Sequence, residues 1–192
     1  AKALSDAALS AGGRVKIHLK ADTGMGRIGF ALRTDFQKAV REMIAASRLP
    51  GLELTGLFQH FAVADADNEA DRAYTDAQHA LFVRAYEALK AAGCEPAILH
   101  CDNSAGVMLH PDWPAGLPRA RCMARPGIIL YGYDPSDEVR FGLFRPVMKL
   151  KTVVSQVKEL QPGHSTSYGR RFTAEKPTKV ATLCAGYADG YP

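Results

Sequence analysis

The sequence predicts an α/β chain in two parts, a series of parallel βα units followed by the start of an antiparallel β domain. Three observations lead there. Up to about Asp134, short apolar runs alternate with stretches of helical period. Polar residues cluster where the strand-like runs end. Beyond Asp134, strand-like runs follow one another with no helix between them.

The elements read as follows. Residues 3–11 look like the end of a helix, closed by Gly12-Gly13. Residues 15–19 alternate apolar and polar, as a short strand does. A loop with Gly24, Gly26 and Gly29 among charged and hydroxyl side chains follows. Thr34 can cap a helix with apolar positions Phe36, Val40, Met43 and Ile44, which stops before Pro50-Gly51. Residues 52–61 form the next strand and include His60. After Asp65-Ala66-Asp67-Asn68 a long helix runs to about Ala92. Its apolar positions Ala70, Ala73, Ala77, Leu81, Ala85 and Leu89 step by three or four. Residues 97–101 are a third strand, and a short helix through Val107 and Leu109 follows it. The loop 111–118 is Pro-rich, and a fourth strand around 121–124 reaches Arg125. Pro126-Gly127 then opens the apolar run Ile128-Ile129-Leu130 as a short helical turn.

Beyond the change in organisation, residues 147–160 alternate as one long strand. Gln161-Pro162-Gly163-His164 is a turn, and 165–172 and 179–184 are further strands. A domain boundary is expected in 134–146, with residues 1–136 in the βα part and 137–192 in the β part. Four parallel strands with their crossovers are half of an eight-stranded (β/α)8 barrel, and an open half leaves strand edges uncovered. The chain is therefore expected to be a piece of a longer protein, with material missing at both ends. The alternative is a self-contained small α/β domain.

Composition narrows the function. Hydrophobic residues make up 47% of the 192, enough for a packed core and against intrinsic disorder. The formal net charge is +4 and the charges are mixed in sign, without a basic block interleaved with aromatics. That argues against a nucleic-acid surface. No apolar run reaches the roughly 18 residues of a membrane helix, and the N-terminus lacks a signal pattern. Cys94, Cys101, Cys122 and Cys184 show no zinc-ligand spacing, so no metal site is expected. A disulfide framework is improbable at this length, which favours a reducing compartment.

The chemistry gathers at strand ends. Lys20 follows the first strand, His60 ends the second, Asn103 and Ser104 follow the third, and Arg125 ends the fourth. In (β/α)8 barrels that C-terminal face carries the active site. The N–H groups of Gly127 and Ile128, with the Ser104 hydroxyl, suit a phosphate. Each has a plainer reading: Ser104 as a helix cap, Gly127 as a tight turn. Arg27 suits a carboxylate, or else a salt bridge with Asp22 or Asp35. His60 could equally be a core histidine.

Five segments carry a resemblance. Lys20-Ala-Asp-Thr-Gly-Met-Gly-Arg27-Ile-Gly29 resembles a signature of the alanine racemases, fold-type III enzymes that use pyridoxal 5′-phosphate (PLP). His100-Cys-Asp-Asn-Ser104-Ala105 resembles the family's HxANSA, and Arg125-Pro-Gly-Ile-Ile-Leu-Tyr-Gly132 its RPGIxLYG. Ser167-Tyr168-Gly169 and Gly186-Tyr187-Ala-Asp-Gly-Tyr-Pro192 resemble its SYG and GYADGYPR. They occur in the family's order across nearly the whole chain, which the resemblance places in the C-terminal half of the barrel and the beginning of the β domain.

The resemblance implies an L-/D-alanine racemase, an isomerase that serves peptidoglycan synthesis in the cytoplasm and works as a homodimer sharing its sites. It implies Tyr168 as a catalytic base acting from the partner subunit. Arg125 would meet the PLP pyridine nitrogen, with His60 supporting it. Ser104, Gly127 and Ile128 would contact the phosphate. Arg27 would contact both the cofactor and the substrate carboxylate. Lys20, which some members carbamylate, would position Arg27; Asn103 and Tyr187 would support the site. The family's PLP lysine lies in a K-A-x-A-Y-G-H-G motif that is absent from these 192 residues, so the chain alone is expected to be inactive. Asp102 stands where the family usually has alanine. The alternatives are a broad-specificity racemase of the same fold and a non-catalytic PLP-binding barrel.

Overall fold

The computed structural model describes residues 1–110 and 115–191. Residues 111–114 of the Pro-rich loop, and Pro192 of the last motif, lie outside the described residues. The chain forms two compact units, Ala1–Val147 and Met148–Pro192.

In the first unit α1 (Lys2–Ser10) leads into β1 (Val15–Asp22), longer than the alternating run alone suggests. A short β2 (Phe30–Ala31) pairs with the end of β1, which the sequence did not announce. Then come α2 (Phe36–Ser47), β3 (Leu52–Phe58), α3 (Glu69–Ala91), β4 (Ile98–His100) and α4 (Ser104–Leu109). The sheet has order β2-β1-β3-β4, and every pairing in it is parallel.

Asp35, not Thr34, caps α2: its carboxylate accepts the Lys38 N–H at 2.9 Å. Asn68 caps α3, whose first turn holds Glu69 and Asp71 and whose last turn holds Lys90, each matching the helix dipole. Leu19, Leu57 and Leu99 bury one face of the sheet against Met43 of α2 and Phe82, Ala85 and Leu89 of α3. Full burial of such side chains contributes about 1.5–3 kcal/mol each.

Two expectations need correction here. The apolar face of α3 holds only in its second half: Ala85 and Leu89 are buried, but Ala70, Ala73 and Ala77 are exposed. The first half buries Thr75, Gln78 and His79 instead, because it passes the polar strand ends and not the apolar sheet face. The fourth strand is reduced to one parallel bridge, Leu99 with Cys122. A 3-10 turn at Arg119–Arg121 precedes the bridge, and Pro126, which has no N–H to donate, follows soon after. A second 3-10 turn, Ile128–Tyr131, falls where the short helical turn was expected.

In the second unit β5 (Val154–Leu160) pairs antiparallel with β8 (Thr178–Leu183). Between them β6 (Ser165–Thr166) pairs with β7 (Phe172–Thr173). The long strand expected over 147–160 starts only at Val154. Alternation marks the residues that can form a strand, but a strand also needs a partner ladder, and β8 supplies one only from there. Likewise 165–172 is interrupted by a turn at Tyr168–Arg170.

Candidate active site

Sheet register builds the site. Lys20 lies opposite Phe58, and Phe58 opposite His100, so the three form one row across the sheet. Residues in matching register point to one face. Their neighbours Leu19, Leu57 and Leu99 face the helices, so this row stands on the other side. The row before it is His18, Gly56 and Ile98. A Cβ on Gly56 would stand 2.6 Å from atoms of the His18 ring. Only a glycine there lets His18 lean across β3 to His100, with Nδ1 and Nε2 2.8 Å apart.

His100 stacks on Phe58 with centroids 4.8 Å apart and planes at 2°. Arg125 Nη1 donates to His100 Nδ1 at 2.5 Å. Arginine can only donate, so the His100 proton sits on Nε2 and is donated to His18. Burial, then the charge of Arg125 and the nearby His18, hold the His100 pKa down to about 4, so the ring is neutral as an acceptor must be. Arg125 Nη2 donates to the Gln59 carbonyl at 2.6 Å and to His60 Nδ1 at 3.3 Å. The Arg125 backbone N–H donates to the Asp102 carbonyl at 2.9 Å. Among the described residues no carboxylate forms an ion pair with Arg125, and none accepts its Nε–H. Burial, then the charges of Arg125, Arg27 and Lys20, push His60 below the ordinary histidine range.

The Lys20–Arg27 loop is tied from within. Asp22 Oδ1 accepts the N–H groups of Gly24 at 3.1 Å and Gly26 at 3.0 Å. The Tyr74 hydroxyl donates to the Gly24 carbonyl at 2.7 Å. Gly29, at φ +114°, runs so close to Lys20 that a Cβ would lie 2.7 Å from its carbonyl. Arg27 is exposed and in no ion pair among the described residues. The carboxylate of Asp22 holds the turn and that of Asp35 caps α2, so the plainer salt-bridge reading of Arg27 finds no support. Lys20 is 6% exposed, and its Nζ has no hydrogen-bond partner among the described residues. Burial lowers its pKa; Asp22 opposes the shift, and Arg27 and Arg125 add to it.

Asn103, not Ser104, caps α4, accepting the Gly106 N–H at 2.9 Å. That leaves Ser104 Oγ to accept the Gly127 N–H at 2.8 Å. The Gly127 N–H is therefore not free, and the two expected phosphate contacts are paired with each other. A cleft of about 240 Å³ is lined by His60, Asn103, Ser104, Arg125, Gly127 and Ile128, with Ala105, Asp65 and Pro135. Lys20 and Arg27 do not line it, but they are close enough for their charges to depress His60. Among the described residues no cluster of His, Cys, Asp or Glu is arranged to hold a metal ion, and no helix is long and apolar enough to cross a membrane.

Tyr168 and Tyr187 belong to the second unit, where they are 86% and 82% exposed. Tyr168 follows Ser167, a non-glycine residue at φ 64°, and precedes Gly169 and Arg170 at φ 71° and 48°. At the non-glycine Ser167 and Arg170 such backbone costs about 1–3 kcal/mol each, and it is concentrated at functional turns; Gly169 adopts it freely. Sequence reasoning missed the role of His100 as a partner of Arg125 and of His18 as a partner of His100. The available signal was period two, which puts His18 and Lys20 on one strand face.

A parallel βα sheet with a cation-bearing cleft at its strand ends, followed in sequence by an antiparallel β unit, defines the class: part of a (β/α)8 barrel and a β domain. The model of the alanine racemase N-terminal domain matches residues 1–135, and that of the C-terminal domain matches 147–192. The chain belongs to the alanine racemase family. It is 41% identical to the alanine racemase of Desulforamulus reducens over all of this chain and 49% of that protein. Identity to the Clostridium perfringens SM101 alanine racemase is 42%, over all of this chain and 47% of that one. The structure of alanine racemase from Streptomyces coelicolor A3(2) superposes with a TM-score of 0.77 at 34% identity, covering 98% of this chain and 48% of that one. The Clostridium difficile 630 enzyme gives a TM-score of 0.73 at 35% identity, covering 98% and 47%. The chain thus spans about half the length of the curated relatives it matches.

Proposed function

We propose that the protein carrying this chain is a PLP-dependent alanine racemase. It interconverts L- and D-alanine in the cytoplasm, supplies D-alanine for peptidoglycan, and works as a homodimer. The observation that carries the reading is Arg125: a half-buried guanidinium on two imidazoles and a carbonyl, lining the cleft without a carboxylate partner among the described residues.

The residues present fit PLP. Lys20, Arg27 and Arg125 make the strand ends cationic, as a phosphate and a substrate carboxylate require. The unpartnered Lys20 Nζ also fits the family's lysine carbamate, an anion that would position Arg27. Residues 1–136 would hold the cofactor, with Ser104 and Ile128 at the phosphate, Gly127 joining them by exchanging its N–H bond to Ser104 for one to the phosphate, and Arg125 at the pyridine nitrogen. When bound, PLP supplies the electron sink that acidifies the amino-acid Cα–H. Arg125 keeps its proton, because a guanidinium is too basic to release it. It therefore offers a hydrogen bond, not a proton, to what it faces. His60 and His100 are both neutral and orient it without cancelling its charge. Arg27 takes the substrate carboxylate and fixes which faces of Cα are open. Residues 137–192 bring Tyr168, whose Oη takes or returns the proton on one face, with Tyr187 beside it. In the homodimer Tyr168 of one subunit serves the barrel of the other. The opposite face needs a second base, and the family's lysine for that role has no counterpart in this sequence.

The test is D-alanine formation from L-alanine by the intact protein with PLP, followed by circular dichroism. PLP binding without turnover would refute the racemase and favour a non-catalytic barrel. Equal turnover of bulky or basic amino acids would favour broad specificity. The 192-residue chain alone is expected to give no turnover.

A further inference from the structure

Behind the strand ends three buried polar side chains form a hydrogen-bonded network. Thr23, Gln59 and Gln78 are 1%, 0% and 1% exposed. They come from the loop after β1, the segment after β3, and α3. Gln78 Nε2 donates to Thr23 Oγ1 at 3.1 Å and to the His60 carbonyl at 3.2 Å, while its Oε1 accepts the Ala62 N–H at 3.0 Å. Thr23 in turn donates to Gln59 Oε1 at 2.5 Å.

We propose that Gln78 is a positioning residue for the active site, holding His60 and Arg125 in register through this network. The proposal rests on the racemase reading above. Gln78 grips the backbone on both sides of Phe61, at the His60 carbonyl and the Ala62 N–H. Phe61 itself is buried in the core, so the 60–62 segment is held by packing and by hydrogen bonds together. With its backbone held in this way, His60 keeps only its side-chain torsions free. Gln59 links the network to the cation: its side chain takes the Thr23 hydroxyl, and its carbonyl takes Arg125 Nη2 at 2.6 Å. Gln78 therefore reaches Arg125 by two routes, through His60 and through Thr23 and Gln59. Apolar side chains would cover the strand ends without burying two amides and a hydroxyl. The bonds of Gln78 and Thr23 are met, while the buried Gln59 Nε2 has no hydrogen-bond partner among the described residues; the bonds that are made fix one arrangement of the segments they join.

The test uses the intact protein with labelled histidine. Gln78→Met keeps the volume of the side chain and removes its hydrogen bonds. Thr23→Val removes the hydroxyl and keeps its shape, and Thr23→Ser restores it. With the register lost, His60 moves away from Arg125, and its NMR titration midpoint rises toward the ordinary histidine value in Gln78→Met and Thr23→Val. In the same variants kcat falls ~10-fold while KM changes less than ~2-fold, and Thr23→Ser recovers both readouts. An unmoved His60 midpoint with unchanged kcat, or failure of both variants to fold, overturns the proposal and leaves the network structural. The titration needs neither PLP nor alanine. A parent protein that fails to racemise alanine therefore refutes the function while the titration still decides the positioning role.

Discussion

Gly56→Ala probes the step that lets His18 reach His100. The added Cβ would lie 2.6 Å from Cδ2, Cγ and Nδ1 of His18. Gly56 is not among the glycines at positive φ, so alanine meets only a steric objection. To relieve it, His18 must swing away and give up its 2.8 Å bond to His100. Losing that bond costs about 1 kcal/mol, and overpacking at the buried Gly56, against an exposed His18 ring that can give way, costs about 1–2 kcal/mol. Replacing a glycine returns roughly 0.5–1 kcal/mol through the unfolded chain. The net expectation is a loss of about 2 kcal/mol, or ~4–8 °C in Tm for a protein of this size. Urea denaturation measures it, together with the same substitution in a His18→Ala background. With the ring gone the alanine has room, so Gly56→Ala becomes neutral or stabilising there, and the two sites couple by about 2 kcal/mol. An equal cost in both backgrounds, or a single-variant cost below ~0.5 kcal/mol, would refute the steric reasoning.

Acid should weaken the fold through His100. Its pKa is about 4 in the folded chain against an ordinary 6.5, so the unfolded chain takes up the proton first. Stability is complete above pH 6.5 and falls as pH drops toward 4, by up to about 3 kcal/mol, and His60 adds to the loss in the same direction. Urea unfolding at about pH 7.5 and about pH 5 checks this, and a His100→Asn variant should show a flatter slope. Gly106→Ala would place a Cβ 3.2 Å from Asp102 Cβ and Oδ1. It should cost about 1 kcal/mol alone and become stabilising beside Asp102→Gly, which removes both contacting atoms so that the helix preference for alanine acts unopposed; thermal melts of the four proteins decide. Ser104→Ala should weaken PLP binding ~10-fold, the effect of one charge-assisted hydrogen bond. An unchanged Kd in an absorbance titration would remove Ser104 from the phosphate site.

Much of the site was legible because short-range rules place it. Strand period and helix caps locate β1, β3 and α3, and the polar residues at their ends follow. Ser104, Gly127, Asn103, Arg125 and His60 then meet around one cleft. What was not legible depends on partners distant in sequence or on local geometry that composition does not reveal. The cap at Asp35 instead of Thr34 turns on local backbone geometry. The strand reduced to the Leu99–Cys122 bridge depends on what stands beside it. Gln78 looks like any polar helix residue until α3 is laid across the strand ends, where its amide meets Thr23 and His60. Asp102 shows in the sequence only as a departure from the family's usual alanine, and its burial, which raises its pKa, needs the fold to be seen.

The bonds from Arg125 to His100 and from His100 to His18 all run in one sense. The first donor never releases its hydrogen, so the line cannot reverse. It is an anchor chain and not a conduit: it holds a positive charge still while protons are exchanged by other groups. On the proposed racemase function, an enzyme that must treat both mirror-image forms of its substrate alike gains from such a fixed point.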